Sequence, residues 1–246
     1  MKIKDKIHFK TEWRIDRFKD SDNKIAEMLQ NIGNLTVEDV KQLFPDAFIG
    51  SEVFEENVAL NEGLQNIINI ICGIGTTTKW DNTNARLGVG DNNAAEAATQ
   101  VMLQAIATKT AWAASTAKAL GEIVRPTAAP TDASRFYYEC TVAGTTGTTE
   151  PTWPTTDGST VVDNTVTWTA RERIVFKAMD AGYPARVDQT SEWRSTYAGT
   201  DANFSWQEFT VDNGATVALN LNRRIADKGT KASGETWTLS LKITFS

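Results

Sequence analysis

Apolar and polar residues alternate with a period of two near both ends of the chain. In IHFKTEWRIDRF, Phe9, Thr11, Trp13 and Ile15 fall on one face, and His8, Lys10, Glu12, Arg14 and Asp16 on the other. That pattern predicts a half-buried strand. In ETWTLSLKITFS, Trp237, Leu239, Leu241, Ile243 and Phe245 face one way, against Thr238, Ser240, Lys242, Thr244 and Ser246. An apolar strand at the end of the sequence is expected to be pinned into a sheet. VDQTSEWRSTYAG, ANFSWQEFTVDNG and ATVALNLNRRI read as further strands, with Asp212-Asn213-Gly214 as a hairpin-type turn.

The period lengthens to three and four residues elsewhere. Ile25, Met28 and Leu29 have helical spacing. LTVEDVKQLF offers Thr36 as N-cap with Asp39 three residues on, puts Val37, Val40 and Leu43 on one side, and meets Pro45 as a stop. Residues 20–50 are therefore expected to be an added helical segment, with Ile25, Met28, Leu29, Val37 and Val40 available as an oligomer surface. NEGLQNIINIICGIG reads as a buried helix through Leu64, Ile67, Ile68 and Ile71, stopped by Gly73 and Gly75. ARLGVGDNNAAEAATQ reads as a short strand and a glycine turn, followed by an alanine-rich stretch. ATQVMLQAIATK fits strand and helix equally.

From about Ala111 to Ala170 the texture changes. Pro126, Pro130, Pro151 and Pro154 lie here, with Trp112, Tyr137, Tyr138, Trp153 and Trp168. Phe136, Tyr138, Cys140 and Val142 alternate with Tyr137, Glu139 and Thr141, and NTVTWTA is a second strand. A unit this small needs large aromatic side chains to bury enough area. The expected fold is mainly β: a β-sandwich core with a few helices, discontinuous over 1–110 and 171–246, plus an inserted all-β module over 111–170.

Composition narrows the function. The chain has 246 residues, 41% hydrophobic, and a net charge of −6. No basic field draws it to nucleic acid. No apolar run has transmembrane length and no signal peptide is recognisable, so no membrane insertion is expected. Cys72 and Cys140 read as buried small hydrophobes in different modules rather than a disulfide. The one histidine, His8, has no recognisable catalytic partner and reads as an exposed or edge residue. Zinc needs several His or Cys ligands at close spacing, which are lacking. GVGDNN lacks the third glycine and the Lys-Ser/Thr of a phosphate loop and reads as a turn, where Asp91 is a weak cation candidate. Nothing singles out two carboxylates as a glycosidase pair. LNRRIADKGTK, with Arg223, Arg224, Lys228 and Lys231, fits a solvated turn or an acidic-partner surface. No catalytic residue, metal or cofactor is implied, and the chain is not expected to be an enzyme.

The aromatic insert carries two readings. Indole and phenol rings stack on the C–H faces of sugars while Asn, Asp and Thr bond their hydroxyls; the same rings also build a small core. The candidate glycan contacts are Tyr137, Trp153 and Trp112.

Two sets of motifs go further. WAASTAKALGEIVRP, YECTVAGTTG, EPTWP and VVDNTVTW, from Trp112 to Trp168, resemble a repeat of tailed-phage structural proteins that is similar to small carbohydrate-binding modules of the chitinase-associated type. Lys118 replaces the repeat's usual tyrosine, which removes one stacking platform, and Asn164 replaces its usual glycine. NVALNEG, LGVGD, QVMLQA, KAMDAGYP, ANFSWQE and NRRIADKGTKASGETWTL, from Asn57 onward, resemble a family of small tailed-phage capsid or tail proteins. The resemblance implies a virion protein, assembled in the bacterial host cytoplasm, with the major capsid protein or tail proteins as partners, a homo-oligomeric state, and bacterial surface glycans as ligands of the insert. It implies capsid decoration first, with a tail, collar or baseplate component used in adsorption, or a glycan-active enzyme with a binding module, as alternatives.

Overall fold

The computed structural model describes residues 9–131, 133–215 and 218–246, so His8 lies outside the described residues. Among these the chain is mainly β, with sixteen strands and three α-helices. In chain order come β1 (Phe9–Lys19), α1 (Lys24–Asn31), α2 (Val37–Leu43), β2 (Phe48–Glu55), β3 (Val58–Ala59), α3 (Asn61–Cys72) and β4 (Arg86–Gly90). The middle of the chain forms β5 (Ala117–Lys118), β6 (Ile123–Val124), β7 (Phe136–Val142), β8 (Gly144–Thr145), β9 (Thr160–Asp163) and β10 (Val166–Glu172). Then follow β11 (Ile174–Ala178), β12 (Ala185–Val187), β13 (Thr190–Tyr197), β14 (Glu208–Asp212), β15 (Asn222–Ile225) and β16 (Glu235–Phe245).

Two five-stranded antiparallel sheets, ordered β12-β13-β16-β1-β2 and β11-β4-β14-β15-β3, make the sandwich. The period-two pattern explains the first. β1 and β16 pair along their whole length, from Phe9 opposite Phe245 to Lys19 opposite Glu235. This sets Trp13 beside Leu241 and Ile15 beside Leu239 on the inner face. The second sheet contributes Leu87, Val89, Phe209 and Val211 to the same core. Trp206 lies at its centre, edge-on to Tyr197 and Trp237 at 4.7 and 4.9 Å between ring centroids. The Tyr197 hydroxyl donates to the Leu87 carbonyl at 2.7 Å and so ties one sheet to the other.

The polar face of the first sheet is covered at the end where β1 runs into α1, while Lys10 at its other end is exposed. Phe18 packs there with Ile25, Leu29, Val37 and Val40 in a separate small core. Thr36 and Asp39 close a reciprocal capping box on α2. Asp20, buried, accepts from the Ile25 and Ala26 amides at 3.0 and 2.9 Å at the start of α1 and from the Thr236 hydroxyl at 2.7 Å. Arg194 holds this layer down. Its guanidinium bonds Asp180 at 2.8 Å and donates to the carbonyls of Leu29 and Leu35 at 3.1 and 2.9 Å. The expected oligomer surface on residues 20–50 is thus corrected: Ile25, Leu29, Val37 and Val40 are already buried, while Leu43 points outward.

The helix α3 also departs from expectation. It forms and ends at Gly73 in the left-handed region (φ 65°), but its buried residues are Gly63 and Asn66. A Cβ at position 63 would lie 2.6 Å from Leu221 Cα, so glycine permits the approach. Asn66 donates to the Thr78 carbonyl at 3.0 Å. Only Ile67 and Ile70 rest partly against the main core, and Leu64, Ile68 and Ile71 face outward. Cys72, expected to be buried, is exposed on this helix, while Cys140 is buried.

The segment 111–170 contains a four-stranded sheet, β6-β7-β10-β9, and the pair β5-β8. Its core is Trp112, Val124, Tyr138, Cys140, Val166, Trp168 and Ala170. The chain leaves it directly from β10 into β11, an edge strand of the second sheet. Asn164 sits in the left-handed region at φ 56°, which glycine or asparagine tolerates best. No helix among the described residues is long and apolar enough to cross a membrane.

Candidate functional site

The three candidate glycan residues do not share a surface. Trp112 is buried, and its indole N–H donates to Asp163 Oδ2 at 2.7 Å. Trp168 donates to the same oxygen at 3.1 Å, and the Gly147 amide to Oδ1 at 2.7 Å. Asp163 is a buried carboxylate whose hydrogen bonds knit the module's core, and Trp112 belongs to that core rather than to a binding face. The aspartate of VVDNTVTW beside the tryptophans of two blocks was the available signal for this role.

Tyr137 and Tyr138 alternate on β7 and so point to opposite sides. Tyr138 faces inward; its hydroxyl donates to the Pro154 carbonyl at 2.9 Å, and burial pushes its pKa up to about 12. Tyr137 turns toward the sandwich. It packs against the cluster of Leu103, Ala105, Ile106, Ile174 and Phe176, accepts from Arg173 Nε at 3.2 Å, and lies under the cations of Arg173 and Lys109. It is an anchor at the junction of module and sandwich.

Trp153 remains as the candidate platform. It is half-buried, stacked on Tyr138 at 4.1 Å and edge-on to Trp168 at 6.1 Å. Its N–H donates to Glu150 Oε1 at 2.7 Å, which also accepts from the Thr127 amide at 2.9 Å. Burial works against ionisation of Glu150, but the Thr127 hydroxyl, the Trp153 N–H and the Thr127 amide together outweigh it and hold the carboxyl below its usual range. The ring is therefore locked in plane before any ligand arrives, as a stacking surface must be.

The glycines of LGVGD serve packing. A Cβ at Gly88 would collide with the Phe176 ring, and one at Gly90 with the Glu208 carboxylate. Asp91 lies 3.4 Å from Arg173, and among the described residues no group of three or more His, Cys, Asp or Glu could hold a metal. The basic stretch at 222–231 is neither a solvated turn nor an open basic surface. Arg223 and Lys231 are buried, and Lys228 pairs with Glu52 at 2.5 Å.

A second site is apolar and was not expected. A groove of about 690 Å³ opens at one end of the sandwich, lined by Phe9, Leu64, Ile67, Trp80, Trp193 and Phe245 among others. Phe9 and Phe245 meet edge to face at 5.0 Å across the β1–β16 pair. α3 forms one wall, and its outward stripe continues the groove. Periodicity shows that a stripe is apolar but not which way it faces, so this site was legible only in three dimensions.

Comparisons with family models, with curated proteins and with solved structures found no match.

Proposed function

We propose that the chain is a non-enzymatic structural protein of a tailed-phage particle, a capsid decoration protein whose sandwich docks to the shell and whose insert projects toward bacterial surface glycans. The observation that carries this reading is the insert: all four blocks of the phage-type repeat fall within one module that folds around its own aromatic core. The module joins the sandwich through an edge strand, β11, so it can stand clear of a docked sandwich. Trp153, fixed by Tyr138 and Glu150, is the residue that meets the sugar. Weak single contacts suffice there, because many copies on one particle act together. The chain works as a homo-oligomer in the virion, after assembly in the host cytoplasm, with the major capsid protein as its partner.

The test is a density map of the intact particle with an antibody fragment against the insert. Labelling over the head supports capsid decoration. Labelling confined to tail, collar or baseplate moves the protein to the adsorption apparatus. Release of reducing sugar from host wall polysaccharide by the purified chain makes it an enzyme and overturns the reading.

A further inference from the structure

The outward face of α3 has an unusual chemistry for a surface helix. Exposed large apolar side chains recur at Leu64, Ile68 and Ile71, with Ile74 just beyond, at 37, 56, 77 and 57% exposure. Spacings of four and three residues put the first three on one stripe. A surface helix ordinarily buries that stripe and shows charges outward. Here the fully buried positions are Gly63 and Asn66, with Ile67 and Ile70 only partly covered by the core. From Gly63 through Thr78 there is no Asp, Glu, Lys or Arg at all. Leu64 also lines the groove beside Phe9 and Phe245, which are 56 and 42% exposed.

We infer that this face is the contact between two copies of the chain, with α3 packed against its symmetry-related counterpart across a two-fold axis. Charge selects the occupant. The chain carries a net charge of −6, so most pairings of two copies meet like-charge repulsion. A two-fold contact sets a patch against itself, and the stretch from Gly63 to Thr78 meets its copy with no charge of its own, although Glu56 lies on the lining of the adjoining groove. Area agrees. With ~150–250 Å² for an aromatic side chain and somewhat less for Leu or Ile, these six residues expose on the order of 500 Å² of apolar surface. A stable interface buries roughly 800 Å² per partner, a little over half of it apolar. Single monomers seldom leave a patch of this size uncovered. The inference is argued from the α3 stripe and the adjoining Phe9–Phe245 groove, not from the virion reading.

The experiment measures molar mass by light scattering on the full chain from about 1 to 100 µM, beside Ile68→Asp/Ile71→Asp. Both substituted positions are exposed, so the fold is retained, and an unchanged circular dichroism spectrum checks this. The expected result is a dimer that becomes a monomer in the variant, with at least a tenfold loss of affinity. Cys72 supplies a second reading at the end of α3, because Cys140 is buried. A short bis-maleimide should link two copies through Cys72 in the wild type and fail in the variant. A wild type that stays monomeric over this range overturns the proposal, as does a dimer that persists in the variant. A monomeric wild type would withdraw the homo-oligomer from the proposed function, whereas the place of the protein in the particle is judged on the particle.

Discussion

Arg223 and Glu208 face each other across neighbouring strands in full enclosure, with Arg223 Nε and Nη2 donating to Glu208 Oε2 at 2.9 and 2.7 Å. The pair does more than satisfy itself. Glu208 also accepts from the Gln104 and Ala105 amides at 2.8 to 2.9 Å, and Arg223 Nη1 donates to the Ala94 carbonyl and Gln100 Oε1 at 3.0 Å. Together they clamp the irregular 92–106 segment onto the second sheet. Removing one partner strands the other charge in the core. Arg223→Met should cost about 3–5 kcal/mol in urea unfolding, while Glu208→Leu/Arg223→Met should cost clearly less than the two singles combined. Proteolysis in the single variants should begin between residues 92 and 106.

Asp163 has the same office inside the insert, where two indole N–H groups and one amide converge on it. Hydrogen bonds to a charged acceptor contribute more than neutral ones, and burial adds the cost of stranding their donors. Asp163→Leu should destabilise the module by about 3 kcal/mol or more. The sandwich has its own aromatic core, so hydrogen exchange should rise for β7, β9 and β10 and stay slow for β1 and β16. Equal loss of protection in both would show one cooperative unit.

Much of this was legible in the chain, and the rest was hidden for identifiable reasons. Trp13 and Ile15, or Leu239 and Leu241, announce their strands because alternation is enforced wherever one face meets a core. The Thr36–Asp39 box was readable because both partners lie three residues apart. Arg223 reads in the sequence as part of a solvated turn or an acidic-partner surface because its partner Glu208 lies 15 residues earlier, on a neighbouring strand. Lys231 was misread for the same reason, its acceptors being Ala198 and Asn203. In α3 a glycine and an asparagine do the packing, which no apolar count would select. Alternation already set Tyr137 and Tyr138 on opposite faces of β7; what it could not show is that the face of Tyr137 meets the sandwich rather than solvent.

Lys231 gives a pH signature. Its ammonium is enclosed, donating to the Ala198 carbonyl and Asn203 Oδ1 at 2.7 and 2.9 Å, and burial lowers its pKa to about 8. Between about pH 8 and 10 the unfolded chain therefore holds the proton that the folded chain has released. Stability rises with pH wherever the unfolded state binds more protons. Relative to Lys231→Met, the wild type should gain stability from pH 8 to pH 10, with a slope no greater than about 1.4 kcal/mol per unit. The gain is lost as pH falls through 8. A flat difference across this window would mean that the lysine titrates normally.

The insert yields the sharpest separation of roles, because Tyr137 and Trp153 were equal candidates in the sequence and occupy different places in the fold. Trp153 stacks on Tyr138 and is held by Glu150, whereas Tyr137 lies against Ile106 and Ile174 with Arg173 and Lys109 over its ring. A single aromatic platform binds a sugar weakly, so the assay must present the module in many copies on a glycan array. Trp153→Ala should abolish retention, and Glu150→Gln should weaken it by freeing the ring; because Trp153 packs on Tyr138 and Trp168, hydrogen exchange of β7 and β10 checks that each variant keeps the module's fold. Tyr137→Ala should leave glycan retention intact. It should instead loosen the module from the sandwich, seen as a larger radius of gyration in solution scattering and faster cleavage near residue 173. If Tyr137→Ala removes retention while Trp153→Ala spares it, the platform lies on the junction side of β7 and the assignment made for Trp153 is wrong.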